Sequence, residues 1–437
     1  MANRNKVKIK KWKIIVSLLI LAVLAVTHIF ADKIESMIGY SQTLESHQTT
    51  KESIENSNYY VSYIDVGQGN SSFVKLPDGK TMLIDGGDKE FGETVAEFLN
   101  DRNITQIDYL IATHSDSDHI GGLNYVLENF EFKHIFRPFQ ISMSSSDSGA
   151  GVYEYEDLKE AYEYMNSNYS NLKISKVTTS IYRTFIKNIY DETYTLQGNT
   201  LEAEITVFYD GLKISGENYE IEFFGPLRRE IEIDFSNYST ETDGYATVGY
   251  GATNANDASS IFTLTCYDDK YLFMGDARFT DTDLTDRDYS EWDFIESLST
   301  AEKAKFAEID VLLLPHHGSK YSTCDELLDL VLPRFVVVSA GTDNKYGHPH
   351  DEVLERLNDV SSLENDYMLR TDEMGDVIFS SVDGELNYYI EKQGTEAKMG
   401  ISFRMLTAII AGSLIMLIFA IRPYKRKKRR YSIDKRW

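Results

Sequence analysis

"ATHSDSDHIGGL", residues 112–123, sets two histidines and two aspartates within six positions, after an apolar stretch and before a glycine pair. The preceding "IDYLI" has the short, β-branched and aromatic character of a strand, and "GGLNYVLENF" has helical spacing. His114, Asp116, Asp118 and His119 therefore crowd one strand-to-helix loop. Imidazole and carboxylate are the donors expected for zinc, manganese or iron in a hydrolytic centre. Six positions are too few for all four to wrap one tetrahedron. Alternate side chains divide instead, His114 with Asp116 toward one ion and Asp118 with His119 toward another. A helix cap at Ser117 or Asp118 beside a solvated turn explains one or two of these residues, not four.

The same punctuation extends in both directions. "YYVSYIDV", "SSFVKL" and "TMLID" are short strand patterns separated by glycine-rich turns, and "GETVAEFLNDRN" follows them as a helix. Downstream, "YEIEFFGP", "SSIFTLTCYDD" and "KYLFMGD" resume the strand pattern. "KAKFAEIDVLLLPHHG" and "CDELLDLVLPRFVVVSAG" each pair a helix with a strand, and "HDEVLERLNDV" is a helix. The segment from "YMLRTDEMGDVIF" to "GELNYYIE" predicts a hairpin. Residues 141–215 are less regular and read as an insert containing a helix at "YEYEDLKEAYEYMNS". Strands alternating with helices predict a layered α/β sandwich over residues 58–390, with reactive side chains on the loops at strand ends.

Charge is sharply partitioned. Of 44 Lys/Arg and 69 Asp/Glu, fifteen bases but one acid lie in residues 1–13 and 422–437, leaving 29 bases against 68 acids between them. So acidic a body repels a polyanion except where cations intervene, which disfavours a broad nucleic-acid groove. Each basic tail adjoins an apolar run without charge, "IIVSLLILAVLAVTHIF" at 14–30 and "MLTAIIAGSLIMLIFAI" at 405–421. Both runs have the composition of membrane-spanning helices, and the flanking cations place both termini in the cytoplasm. A cleaved signal peptide is the rival for the first run, but small residues are poorly placed around "THIFADK", so a retained anchor is expected. The resulting organisation is a basic tail (1–13), a span (14–30), a juxtamembrane stalk (31–57), the domain (58–390), a linker (391–402), a second span (403–421) and a basic tail (422–437). The domain would then lie outside the cell membrane. Cys266 and Cys324 are too few for a disulfide scaffold and read as two isolated buried thiols.

Seven short motifs in order carry a family resemblance: "DVGQGN" (65–70), "LIDGG" (83–87), "HSDSDHIGGL" (114–123), "NDASS" (256–260), "MGDA" (274–277), "LPHHGS" (314–319) and "NKYGHPH" (344–350). Across residues 58–390 the chain resembles metallo-β-lactamase-fold hydrolases. It is most similar to the extracellular hydrolase domain of the DNA-uptake protein ComEC and its free-standing relatives. The resemblance implies an αββα sandwich, here flanked by two transmembrane helices. Asp116 stands where general enzymes of the fold have histidine, as in the closer group, while Asn70 departs from the usual aspartate of its motif.

The resemblance further implies two divalent ions, Zn2+ or Mn2+, held by His114, Asp116, Asp118, His119, the bridging Asp276 and one of His316 and His317, with His317 preferred. Asp118 would also orient the nucleophile. His316 and His348 would contact substrate or leaving group. Asp65, Asp85, Asn256, Asn344 and Tyr346 are supporting or substrate-facing candidates, and Lys345 and Arg370 could neutralise a phosphate. No histidine lies between His134 and His316, so Asn256, Asp257 or water would complete the first ion's shell. His134 reads as structural.

The implied activity is hydrolysis of a phosphoester, above all a phosphodiester, by a metal-activated water. A cell-envelope-linked substrate suits the expected tethering, and nucleic acid enters only as a substrate of an extracellular nuclease. The competing reading is a non-catalytic binding or sensor protein on a degenerate hydrolase fold.

Overall fold

A computed structural model describes residues 47–138, 140–142, 175–177, 179–190, 195–196, 199–200, 203–225, 255–280, 290–307, 309–360, 363 and 368–392, to which every structural statement refers. Two sheets stack face to face. The first contains β1 (Tyr60–Tyr63), β2 (Ser72–Lys75), β3 (Thr81–Ile84), β4 (Gln106–Ile111), β5 (Glu131–Arg137) and β6 (Glu204–Val207). The second is built from β7 (Lys213–Gly216), β8 (Tyr219–Phe223), β9 (Phe262–Cys266), β10 (Asp269–Phe273), β11 (Val311–Leu313), β12 (Phe335–Val338) and β13 (Met368–Arg370). The chain then returns to the first sheet as β14 (Val377–Val382) and β15 (Glu385–Ile390). Strand order is β6-β5-β4-β3-β2-β1-β14-β15 in one and β7 through β13 in sequence in the other.

Each sheet changes from antiparallel to parallel pairing. β3, β4, β5 and β6 run parallel, as do β10, β11, β12 and β13. Parallel strands need crossovers, and helices supply several of them, including Gly92–Asp101 between β3 and β4 and Asp325–Val331 between β11 and β12. The crossover helices cover the outer faces, so the parallel strands are buried on both sides and read as nearly unbroken apolar runs such as "FVVV" in β12.

Three apolar layers result. Tyr63, Ile111, Phe223, Phe273, Val337 and Phe379 fill the space between the sheets. Val95, Leu99, Leu123, Leu127, Tyr182 and Phe185 pack helices onto the first sheet, and Phe294, Leu328, Val331, Val353 and Leu357 do so on the second. Each fully buried large apolar side chain contributes roughly 1.5–3 kcal/mol, and none of the residues in these layers is a candidate metal ligand. The αββα expectation therefore stands, and Cys266 and Cys324 are buried free thiols.

Differences lie at the margins. The expected final hairpin is present as β14 and β15, closed by Asp383 and Gly384, both at positive φ. The preceding "MLR" belongs instead to β13 of the other sheet, separated by a short helix at Thr371–Met374. Residues 48–57, expected in the stalk, pack on the domain: Gln48 bridges to Tyr388, and Ile54 is buried under the first sheet. The described part of the expected insert includes the helix Ser180–Tyr190, which packs on the same sheet. The helix expected at "YEYEDLKEAYEYMNS" lies outside the described residues.

The membrane expectation is corrected. Among the described residues no helix is long and apolar enough to cross a membrane. The longest, Ser180–Tyr190, has 11 residues, about 17 Å of rise against a hydrocarbon core of about 30 Å. The segments 14–30 and 403–421, on which the two spans, membrane anchoring, cytoplasmic termini and extracellular placement rested, lie outside the described residues.

Candidate metal centre

The site forms where parallel strands end at one edge of both sheets. β4 delivers Thr113 through His119, and β3 delivers Asp85. β10 delivers Asp276, β11 the Pro315–Gly318 turn, and β12 Ser339. Local backbone geometry aims the side chains. Asp85 has φ 57, and His316, His317 and Gly318 have φ 52, 56 and 79 in succession. Left-handed conformations are costly for residues with a Cβ. Here the surroundings hold them, since His316 N–H donates to Gly275 O (3.0 Å) and His350 N–H to Gly318 O (2.9 Å).

Asp276 is the centre. Its buried carboxylate has Oδ1 2.9 Å from His119 Nε2 and 3.6 Å from His317 Nε2, and Oδ2 3.8 Å from His114 Nε2 and 3.7 Å from His316 Nε2. Asp118 Oδ2 lies 3.5 Å from His317 Nε2, and Asp116 Oδ2 lies 3.8 Å from His114 Nε2. Two groups of ligand atoms are each close enough to hold one ion: His114, His119 and Asp276, and Asp118, His119 and His317. His119 belongs to both groups.

Hydrogen bonds fix which nitrogens face inward. Asp85 accepts from His119 Nδ1 (2.7 Å), Thr113 N (2.8 Å) and Thr113 Oγ1 (2.7 Å). With its hydroxyl hydrogen given to Asp85, Thr113 Oγ1 accepts from His114 Nδ1 at 3.1 Å. His317 Nδ1 donates to Ser339 O at 2.9 Å. Each outer nitrogen thus carries a proton, and Nε2 is the nitrogen directed at the cluster. His114 Nε2, His119 Nε2, His317 Nε2 and Asp276 Oδ1 are all buried without a hydrogen-bond partner. Buried polar groups are normally satisfied, and a pair of divalent cations satisfies this donor set.

The charges of the site are strongly interdependent. Burial opposes charge on His119 and His317, yet Asp276, with Asp85 beside the first and Asp118 beside the second, pushes both above the ordinary histidine range. Burial and the neighbouring His119 drop His114 to about 4. Burial together with Asp276 and Asp118 lifts Asp116 to about 6, whereas the neighbouring His317 and His119 outweigh burial and hold Asp118 at about 2. Asp276 lies well below the carboxylate range, because His119, His316 and His317 outweigh its burial.

The other expected residues distribute as follows. His348 is buried, its ring 5.6 Å from His316 and 6.0 Å from His317. Tyr346, half exposed, stacks on His348 at 5.5 Å. Asn256 Nδ2 lies 3.4 Å from His316 Nε2. Asp257 is engaged by Arg278 (3.0 and 3.2 Å). Asn344 braces its own loop, donating to Gly341 O and His348 O and accepting from the backbone of Tyr346 and His348. Asp65 accepts from Lys392 Nζ at 2.6 Å and lies outside the cluster. Arg370 is taken up by Asp372 and Glu373, and His134 on β5 pairs with Glu204 on β6.

Thr113 and Gln68 were missed. Thr113 directly precedes the ligand loop, a position where an orienting hydroxyl leaves no distinctive pattern. Gln68 lies inside "DVGQGN", but only the fold brings it to His348 (3.3 Å).

Residues 64–341 match the family model described as the Metallo-beta-lactamase superfamily. The chain is 25% identical over 334 residues to ComE operon protein 3 of Bacillus subtilis (strain 168), covering 72% of this chain and 32% of that protein. A stretch of 59 residues is 46% identical to Recombination protein 2 of Haemophilus influenzae (strain ATCC 51907 / DSM 11121 / KW20 / Rd), 13% of this chain and 8% of that protein. The chain therefore spans about a third of the first relative's length and less than a tenth of the second's. Among solved structures, the metallo-beta-lactamase fold protein YhfI from Bacillus subtilis is similar at 9% identity and a TM-score of 0.34, over 71% of this chain and 95% of that one.

Proposed function

The chain belongs to the metallo-beta-lactamase superfamily, and we propose that within it this protein is a two-metal phosphodiesterase related to the hydrolase domain of the ComEC group. The observation that carries the reading is the Asp276 carboxylate, with two histidine Nε2 atoms within 4 Å of each oxygen. Asp118, His119 and His317 would hold one ion with Oδ1 of Asp276. His114, Asp116 and His316 would hold the other with Oδ2. His316 thereby takes the place of the histidine that the sequence lacks between His134 and His316.

Two bound Zn2+ or Mn2+ ions would supply Lewis acidity and an activated water. The remaining chemistry belongs to the chain. Asp118, exposed on one side, orients the attacking water, and Asp276 keeps the two ion positions at a fixed separation. His348 faces the substrate beside His316 and His317. Lys320 and Lys345, in the loops after His317 and before His348, have no acidic partner among the described residues. Both lie over tyrosine rings, Lys320 over Tyr321 and Lys345 over Tyr346, and two cations without an acidic partner in an intensely acidic domain favour an anionic substrate.

The test is hydrolysis of an activated aryl phosphodiester by the full chain with zinc or manganese, followed by a panel of DNA, RNA and choline-phosphate diesters. Turnover abolished in Asp276→Ala with the fold retained is expected. Folded, metal-loaded protein that cleaves none of these diesters contradicts the reading and favours a binding role.

A further inference from the structure

Gln68 sits in the loop between β1 and β2, directly after Gly67 at φ 60. The opposing loop presses on it closely: a Cβ at Gly341 would come within 2.7 Å of Gln68 N. This packing fixes where the side chain reaches. Its Nε2 lies 3.3 Å from His348 Nδ1, and its Oε1 is buried without a hydrogen-bond partner.

The His348 ring is clamped by its neighbours. It lies nearly parallel to Tyr346 (5.5 Å, 19°) and to His317 (6.0 Å, 23°), and meets His316 (5.6 Å, 74°) and His350 (4.9 Å, 62°) edge to face. An amide nitrogen can only donate. Nδ1 of His348 must then accept, and the ring's proton resides on Nε2, for which no hydrogen bond is made among the described residues.

We infer that Gln68 is a positioning residue for His348: its amide fixes the ring in the Nε2–H tautomer, so that a neutral donor meets a phosphoryl oxygen of the substrate. The substrate part of this inference rests on the phosphodiesterase reading. The contact is a hydrogen bond with no proton transferred, which suits a neutral imidazole. A lone pair at the same position would repel the phosphoryl oxygen.

The test is nitrogen NMR of the full chain labelled with 15N in its histidine rings, metal-free and zinc-loaded, since ring nitrogen shifts distinguish the tautomers. Wild-type His348 is expected as Nε2–H. In Gln68→Glu the carboxylate accepts from Nδ1–H and moves the proton there. Diester turnover then falls about 100-fold, the loss typical of removing one transition-state donor, with metal content unchanged. Gln68→Met, which removes the amide without adding charge, gives mixed tautomers and an intermediate loss. Combining Gln68→Glu with His348→Ala adds little to His348→Ala alone, because both remove one interaction.

Wild-type His348 protonated on Nδ1, a tautomer that neither Gln68 variant moves, or losses that multiply in the double variant would each overturn the inference. A wild type that cleaves no phosphodiester defeats the proposed function instead, and the ring shifts still decide the tautomer.

Discussion

Asp85 Oδ2 lies 2.7 Å from His119 Nδ1, and the same carboxylate accepts from both the backbone and the hydroxyl of Thr113. One residue from the end of β3 thus sets the ring that belongs to both candidate ion positions. Asp85→Asn tests this without straining the backbone, because asparagine tolerates the left-handed φ of 57 found there. The amide loses the charge that orients His119. Zinc affinity should fall about 10–100-fold, the range for lost outer partners of metal-bound histidines. Competition against a chromophoric chelator measures it, and unchanged affinity would show that Asp85 only braces its loop.

Binding of metal should release protons. In the metal-free site His119 and His317 are held above the ordinary histidine range, chiefly by Asp276 acting against burial. A ring favoured in its charged form must give up its Nε2 proton before that nitrogen can hold an ion. Apparent affinity should rise with pH through their raised values and weaken as pH falls. The same shifts stabilise the metal-free fold: their contribution is complete below the unfolded histidine value of about 6.5 and is lost as pH rises through the folded values. Calorimetry in two buffers of different ionisation enthalpy counts the protons, and zero release would contradict this ordering.

Backbone approach holds the ligand loop in place. A Cβ on Gly122 would come within 2.1 Å of Gly86 O and 3.1 Å of Gly92 Cα. These are backbone atoms, so no side chain can move aside. Gly122→Ala should destabilise the domain by about 1–3 kcal/mol, the cost of overpacking, and weaken metal binding with it, since Gly121 and Gly122 follow His119 directly. Denaturant unfolding measures the loss. A wild-type midpoint would mean that the loop separates freely from the Asp85 turn.

The fold and most of the centre were legible in the chain because their signals are local. Periodicity marked the buried strands, and the four-ligand loop contains more metal donors than a turn requires. The proposed site keeps the division that the loop alone suggested, His114 with Asp116 and Asp118 with His119, but its completion by His316 and His317 was not legible, because it depends on how Asp276, 157 positions beyond His119, presents its two oxygens. Nor could spacing decide between His316 and His317. Consecutive left-handed residues in the turn bring both rings to Asp276, His317 fully buried and His316 beside Asn256. Asn344 looked substrate-facing because it belongs to a polar motif, yet its amide is spent on its own loop. The membrane spans were inferred from composition alone, and the described residues supply none.

The central claim is that Asp276 joins two ion positions, and metal stoichiometry tests it most directly. Full-length protein equilibrated with zinc and freed of excess metal should retain two ions per chain by elemental analysis. Asp276→Ala should retain at most one, with its circular dichroism unchanged, because Asp276 is not among the residues that fill the apolar layers. Two ions retained equally by wild type and Asp276→Ala, or none retained by folded wild type, would contradict the account.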